Sequence, residues 1–116
     1  MIVALDHIAI AVPDFTEAIE RFLIDFGLNY DGVEDVVSAK TKTAFFPIKG
    51  TKLELIHPLA GQGPVQKFLE KRGKGGLHHI CFESNDLEDD IKRLKAKGYQ
   101  FLSEEPKRGA HNSQVV

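Results

Sequence analysis

Two segments of this chain, residues 5–21 and 77–93, are copies of one pattern, and this internal repeat constrains the fold most. Six residues are identical between the copies: Leu5, His7, Ile8, Asp14, Ile19 and Arg21 match Leu77, His79, Ile80, Asp86, Ile91 and Arg93. Each copy reads as a strand, a short turn, an Asp and an amphipathic helix. A recurring supersecondary unit of this kind predicts two similar modules that pack on each other.

The segments between and after the copies predict further strands and one linking helix. Predicted strands cover residues 5–12, 29–36, 42–48, 52–57, 77–82 and 99–103, and predicted helices follow Asp14, Pro64 and Asp86 and end near Gly27, Gly73 and Gly98. Pro47 predicts an edge or a strand end. The order predicts an α+β fold of paired βαβββ modules in a single domain, 1–116. Module one covers about 3–60, a linker helix about 63–73 and module two about 76–116.

The second module is expected to be truncated at its C-terminal end. Three strands follow the helix of the first copy, whereas only one strand and a stub follow that of the second. The repeat would place the counterpart of Glu54 at about residue 126, beyond Val116. We therefore expect the last strand or two of the module to be missing from this sequence.

Composition excludes several classes of protein. Fifteen basic and seventeen acidic residues give a net charge of −2, so we expect no nucleic-acid partner. No apolar run has the length of a membrane helix, and the chain begins with a strand-like segment instead of a signal peptide. A single cysteine, Cys81, excludes a disulfide framework and indicates a reducing compartment, which predicts a cytoplasmic protein.

The repeat places one histidine at the same point of each copy. Side chains alternate between the faces of a strand, so Ile8 and Ile10 should pack on a helix while His7 lies on the other face, beside small residues that leave room for a cavity. A lone strand histidine is usually a satisfied polar residue, but His7 and His79 would converge if the modules pair about a pseudo-twofold axis. Two convergent imidazoles predict a divalent metal site. His78 is expected on the opposite face.

Glu54 is the natural third ligand of this site. It lies between Leu53 and Leu55 on a predicted strand, so its side chain faces either solvent or the cavity. A carboxylate beside two histidines suits cobalt, zinc, manganese, nickel or iron. Cys81, beside His79, offers a soft ligand, although a small buried hydrophobe is the more common role of such a cysteine.

Five segments of the chain resemble a known family. They are LDHIAIAV at 5–12, KLELIHPL at 52–59, KFLEKRG at 67–73, GLHHICF at 76–82 and EEPKRGAH at 104–111. On these segments the chain resembles the vicinal oxygen chelate superfamily, which includes glyoxalases, bleomycin-resistance proteins and extradiol dioxygenases. Within it the chain is similar to the methylmalonyl-CoA epimerase family, and the resemblance covers nearly its whole length.

The resemblance implies a fold, a metal site and a reaction. It implies two βαβββ modules that enclose a divalent metal, held here by His7, Glu54 and His79, with a fourth family ligand beyond Val116. Cobalt is the first expectation, with zinc, manganese or nickel as alternatives. The implied enzyme is an isomerase that interconverts R and S methylmalonyl-CoA by proton transfer at C2 through a metal-stabilised enolate, with Glu54 as ligand or base. A homodimer is also implied, and the activity of a truncated chain is left open.

Two basic clusters are candidates for binding the phosphates of an acyl-CoA. The first contains Lys71, Arg72 and Lys74, and the second contains Lys107 and Arg108. The alternative interpretation of each cluster is a solvated basic face.

Other functions remain open on the sequence alone. A glyoxalase I-like lactoylglutathione lyase would use the same ligands, and substrate assays separate it from an epimerase. An extradiol dioxygenase predicts iron and oxygen consumption. A metal-free binding module of the bleomycin-resistance type has no need for both His7 and His79, and an inactive fragment of the family is a further alternative.

Overall fold

The computed structural model describes residues 1–103, 105–110 and 114–115. The strands are β1 (Ile2–Ala11), β2 (Val33–Val36), β3 (Thr41–Ile48), β4 (Thr51–Pro58), β5 (Gly76–Ser84), β6 (Lys107–Arg108) and β7 (Gln114–Val115). The helices are α1 (Phe15–Glu20), which continues as a π-helical turn over Arg21–Asp25, α2 (Pro64–Lys71) and α3 (Leu87–Ala96), and a 3-10 turn covers Val37–Ala39. The predicted α+β class is confirmed.

Five strands form one sheet in the order β2-β3-β4-β1-β5, and β6 pairs with β7 in a separate antiparallel ribbon. The two repeat strands, β1 and β5, are antiparallel neighbours, and Ile8 lies opposite its own repeat counterpart, Ile80. Repeat-equivalent residues face each other in this way only where a twofold axis passes between them. The pseudo-twofold axis of the repeat therefore runs through the β1–β5 pair.

Each face of the sheet has its own apolar core. Ala18 of α1 packs with Val12, Ala44, Phe46 and Leu55 on one face. On the other face, Val65 of α2 packs with Ala9, Ala11 and Ile56. The predicted helix caps are present, because the carboxylates of Asp14 and Asp86 accept backbone N–H groups three residues on.

The sequence predicted that the small residues on the second face leave room for a cavity. In the structure, they do not leave the whole face open. Ala9 and Ala11 are completely buried, because their methyl groups allow α2 to approach the sheet closely. The open part of this face is therefore confined to the end of β1 that contains His7.

Two local predictions differ from the structure, and a third agrees with it. The strand predicted over residues 29–36 begins only at Val33. The strand predicted over residues 99–103 is wrong: Tyr99 and Leu102 are exposed, and no described strand lies beside them to accept their backbone hydrogen bonds. The edge predicted at Pro47 is confirmed, because β2 stops pairing at Ala44 and β3 has a single neighbour at the proline.

Strand β5 ends the five-stranded sheet, and its helix-facing residues are only half covered. Ile80 and Phe82, the repeat counterparts of Ile8 and Ile10 and therefore expected to pack on a helix, are 51% and 56% exposed. They line a groove of about 270 Å³ with residues of α3, including Leu87, Ile91 and Leu94. Within the described residues, no helix is long and apolar enough to cross a membrane.

Candidate metal centre

The two repeat histidines meet on the α2 side of the sheet. The Nε2 atoms of His7 and His79 are 3.1 Å apart, and the rings stand edge to face with centroids 5.2 Å apart. The register explains the contact: His7 lies opposite Cys81 and His79 opposite Ala9, so the two histidines are diagonal neighbours across the ladder. Ligand nitrogens bound to one tetrahedral ion at about 2.0–2.1 Å lie roughly 3.3 Å apart, so the observed separation fits a shared ion.

Glu54 joins this pair from the neighbouring strand. Strand β4 runs parallel to β1, Glu54 lies opposite Ala9, and its Oε2 atom is 3.3 Å from Nδ1 of His7. Its side chain is only 6% exposed. The leucines on either side of it pack in the core under α1, so Glu54 faces the histidines and not that core. The structure thus brings all three sequence-predicted ligands to one face, with Glu54 nearest to the Nδ1 side of His7.

Asp6 is a member of the site that sequence reasoning missed. Its Oδ2 atom is 2.7 Å from Nδ1 of His7 and 3.5 Å from Nζ of Lys52. Burial acts to raise the pKa of Asp6, but the hydrogen bond with His7 and the charge of Lys52 outweigh it and lower this pKa. The position of Asp6 directly before His7 was the signal in the sequence that could have indicated its role. Strict alternation of side chains, however, would place Asp6 on the face of β1 opposite to His7.

A β-bulge explains why Asp6 lies beside His7. Between the pairs Leu5–Phe82 and His7–Cys81, β1 advances two residues while β5 advances one, so Asp6 has no partner in the ladder. Strand β5 has the same irregularity at His78, which lies between residues paired with Ala9 and Ile10. The prediction that His78 faces away from His79 is wrong, because its Nδ1 is 2.8 Å from Nδ1 of His79.

The thiol of Cys81 lies beside Asp6 and His7. Asp6, His7 and Cys81 are the one group of three described side chains whose potential ligand atoms all lie within 4.8 Å of one another. Burial raises the pKa of the Cys81 thiol, and the carboxylates of Asp6 and Glu54 raise it further. The thiol is therefore protonated at neutral pH.

The second histidine of the pair is neutral at physiological pH. Burial lowers the pKa of His79 to about 4, and the neighbouring rings of His7 and His78 contribute to the shift. Burial also lowers the pKa of His78. A neutral imidazole has a lone pair to donate, so the two converging Nε2 atoms fit a divalent first-row metal ion, whereas the Glu54 carboxylate lies on the Nδ1 side of His7.

One of the two basic clusters is connected to this site. Lys71, Arg72 and Lys74 are exposed at the end of α2, and the guanidinium carbon of Arg72 lies 5.5 Å from the ring centroid of Phe68. The Phe68 ring in turn contacts His78 with centroids 4.9 Å apart, so Arg72 lies two ring contacts from His79. Lys107 is exposed on β6, and the side chain of Arg108 lies outside the described residues.

Comparison with known proteins places the chain in a family. Residues 6–116 match the family model of the Glyoxalase/Bleomycin resistance protein/Dioxygenase superfamily. The ethylmalonyl-CoA/methylmalonyl-CoA epimerase of Cereibacter sphaeroides is 40% identical over 117 residues, which cover 100% of this chain and 87% of that protein. The mitochondrial methylmalonyl-CoA epimerase of Dictyostelium discoideum is 36% identical over 112 residues, which cover 97% of this chain and 68% of that protein.

A solved structure agrees with these sequence matches. A Streptomyces coelicolor methylmalonyl-CoA epimerase variant in complex with 2-nitronate-propionyl-CoA is 29% identical and superposes with a TM-score of 0.91, covering 98% of this chain and 85% of that one. The glyoxalase-like fold implied by the resemblance is confirmed by this similarity. The chain belongs to the Glyoxalase/Bleomycin resistance protein/Dioxygenase superfamily and, within it, to a family of isomerases, the methylmalonyl-CoA epimerases.

Proposed function

We propose that this chain is a metal-dependent epimerase that interconverts R and S methylmalonyl-CoA. The observation that carries the proposal is the pair of repeat-related histidines, His7 and His79, whose Nε2 atoms are 3.1 Å apart. A buried carboxylate, Glu54, lies beside the pair. Relatives named for this activity, at up to 40% identity, supply the substrate class.

The proposed metal ligands are His7, Glu54 and His79. Their nitrogen and oxygen donors suit several divalent first-row ions, and the family resemblance puts cobalt first, with zinc, manganese or nickel as alternatives. When bound, a divalent ion supplies the positive charge that stabilises negative charge on the thioester oxygen as C2 loses its proton. The chain's own contribution is to hold the two imidazoles convergent, with His79 neutral, and to keep bulk water away from the buried Glu54 carboxylate.

Glu54 is also the candidate acid–base group. The Glu54 residue is 5% exposed and its carboxylate is 3.3 Å from His7, so a proton taken from C2 would be held in a partly dehydrated site. A base must lie within hydrogen-bond reach of the proton that it removes. The Glu54→Gln variant separates the two roles, because an amide oxygen still binds a metal whereas it does not accept a proton at neutral pH.

The acyl-CoA is proposed to place its phosphates near the end of α2. Lys71, Arg72 and Lys74 are exposed there, and the Arg72–Phe68–His78 contacts connect this surface to His79. Lys107 and Arg108 remain a second candidate surface. Replacing Lys71, Arg72 and Lys74 with Gln is expected to raise KM for the CoA ester while kcat changes little, because these residues would bind the phosphates and not the reacting carbon.

A homodimer in the cytoplasm completes the proposal. The single cysteine is consistent with a reducing compartment. The half-exposed apolar residues of β5, at the end of the sheet, offer a surface for association. Light scattering coupled to gel filtration tests the dimer directly.

The deciding experiment is the exchange of the C2 proton of methylmalonyl-CoA in D₂O, followed by NMR in protein loaded with cobalt or zinc. Wild type is expected to exchange the proton of both enantiomers. Glu54→Gln is expected to lose about 100-fold or more in rate. His7→Ala and His79→Ala are expected to lose both the metal and the exchange, whereas Glu17→Gln on α1, an exposed carboxylate on the far side of the sheet, should match wild type.

Two results would contradict the proposal. One is a wild-type protein that binds metal and turns over the hemithioacetal of methylglyoxal and glutathione but leaves methylmalonyl-CoA unexchanged, which would make it a lyase. The other is unchanged metal content in both histidine variants, which would place the metal elsewhere. Ethylmalonyl-CoA should be assayed in parallel, because the Cereibacter relative is named for both esters.

A further inference from the structure

Two of the three register shifts between β1 and β5 lie at repeat-equivalent positions, and each of these two β-bulges brings a polar side chain to a site histidine. Asp6 is the extra residue of the bulge in β1, and His78 is the extra residue of the bulge in β5. Each directly precedes the histidine of its own copy and contacts Nδ1 of that ring, Asp6 at 2.7 Å and His78 at 2.8 Å. Bulges of this kind re-aim a side chain next to a functional site.

The contacts form one hydrogen-bonded chain from Asp6 through His7 and His79 to His78. Its middle link is the 3.1 Å contact between the Nε2 atoms of His7 and His79. A carboxylate oxygen accepts hydrogen bonds, so the 2.7 Å contact is a hydrogen bond that Nδ1 of His7 donates to Asp6. A His7 ring with a single proton therefore carries it on Nδ1, and its Nε2 atom presents a lone pair.

The direction of the rest of the chain follows from this first link. Because Nε2 of His7 has no proton, the 3.1 Å contact is a hydrogen bond only if Nε2 of His79 donates. With its single proton on Nε2, the His79 ring then accepts at Nδ1 from Nδ1 of His78. Without metal, the protons thus lie on Nδ1 of His7, Nε2 of His79 and Nδ1 of His78.

We infer that Asp6 and His78 are positioning residues that set the tautomers of the two site histidines. Asp6 locks His7 with Nε2 free to bind an ion, so this ring needs no change. His79 must move its proton from Nε2 to Nδ1 before Nε2 can bind, and His78 makes this possible by accepting at Nδ1 while it carries its own proton on Nε2. Each of the two rings keeps one proton throughout, so no net proton is released. The part concerning metal rests on the proposed function.

The packing of His78 supports a defined role in this switch. Its ring is held edge to face against Phe68 with centroids 4.9 Å apart, and Phe68 packs on the core under α2. Glu54 lies 3.3 Å from Nδ1 of His7 and is a second acceptor for the same proton. Asp6 is nevertheless the nearer partner by 0.6 Å, the difference between 3.3 and 2.7 Å.

The test is the tautomer of each histidine, read from ¹⁵N chemical shifts of the metal-free protein at pH 7.5. His7 and His78 are expected with the proton on Nδ1 and His79 with the proton on Nε2. His57 is an internal reference, because its Nδ1 contacts the backbone oxygen of Val12 at 2.8 Å and must donate in every variant. Addition of zinc to wild type is expected to move the His79 proton to Nδ1 and the His78 proton to Nε2.

Two variants test the role of Asp6. Asp6→Ala is expected to reduce the Nδ1-protonated fraction of His7 and to weaken zinc binding about 10- to 100-fold in calorimetry. The isosteric Asp6→Asn is expected to have an intermediate effect, and the control Asp35→Ala, an exposed carboxylate on β2, none. Wild-type His7 protonated on Nε2, or an unchanged tautomer and affinity in both Asp6 variants, would overturn the inference. Tautomers as expected with no zinc binding by wild type would support the hydrogen-bonded chain and count against the proposed function alone.

Discussion

Replacing Gly75 with Ala should separate the two repeat strands and disturb the site from a distance. Gly75 has φ +77°, and a Cβ atom there would lie 2.1 Å from the backbone oxygen of Ala11 and 3.2 Å from Cδ of Pro13. Real contacts of this kind lie beyond about 3 Å, and the obstacle is backbone, so β5 must move by roughly 1 Å at the point where Gly76 pairs with Ala11.

The energetic cost of Gly75→Ala can be worked from two contributions. The left-handed conformation costs about 1–2 kcal/mol for a residue with a Cβ atom. Forced displacement of a well-packed backbone costs about 1–3 kcal/mol. We expect the free energy of unfolding in urea to fall by about 2–5 kcal/mol and Tm to fall by roughly 10 °C or more. Zinc affinity should fall as well, because His79 lies on the displaced strand.

Gly73→Ala is the matched control from the same turn. Gly73 has no left-handed φ, and nothing lies within 4 Å of a Cβ atom placed there. Its replacement is expected to change the free energy of unfolding by less than about 0.5 kcal/mol or to stabilise slightly through the unfolded state. If Gly75→Ala were as stable as Gly73→Ala and bound zinc equally well, the close approach of the turn to β1 would not be what fixes the register of β5.

Two further predictions concern stability. Leu55→Ala should lower the free energy of unfolding by about 2–5 kcal/mol, because the side chain is 0% exposed in the core under α1, whereas the exposed Leu102→Ala should not change it measurably. Metal-free protein should lose stability as the pH falls from about 6.5 to about 4, because the folded state holds the pKa of His79 near 4, below its usual 6.5, so the unfolded state takes up the proton first. Urea unfolding of His79→Gln should show a smaller loss over this range, and an equal loss would assign the effect to other groups.

The convergence of His7 and His79 could be predicted from the repeat, because a twofold axis between the copies places equivalent residues symmetrically about itself. Once Ile8 pairs with Ile80, any residue one step before Ile8 and its counterpart one step before Ile80 lie equally far from the axis on the same face. The sequence contained both histidines and their spacing. The sequence does not show which strand edges of the two modules pair, because that depends on packing between the modules. The prediction therefore assumed that the modules pair about a pseudo-twofold axis.

The errors in the site prediction come from assuming an uninterrupted pleat. Strict alternation places Asp6 and His78 away from their neighbouring histidines, and the two bulges reverse that placement. Nothing local in these residues distinguishes a bulge from a regular strand, because a bulge forms only where two residues of one strand lie opposite one residue of the partner strand. The small side chains of Ala9 and Ala11 were ambiguous for a related reason, since they suit a cavity and the close approach of α2 equally well.

The scaffold is symmetric about the β1–β5 pair, but the surroundings of its two histidines are not. His7 has two carboxylates at its Nδ1 side, Asp6 and Glu54, whereas His79 has another imidazole, His78, at the same position. One half of the site therefore holds its ring in a fixed, binding-ready tautomer, and the other half holds a neutral ring whose proton must move. Removing the Asp6 carboxylate should therefore reduce the difference between the two halves, because Glu54, 3.3 Å from Nδ1 of His7, would be the remaining carboxylate that holds the His7 proton there.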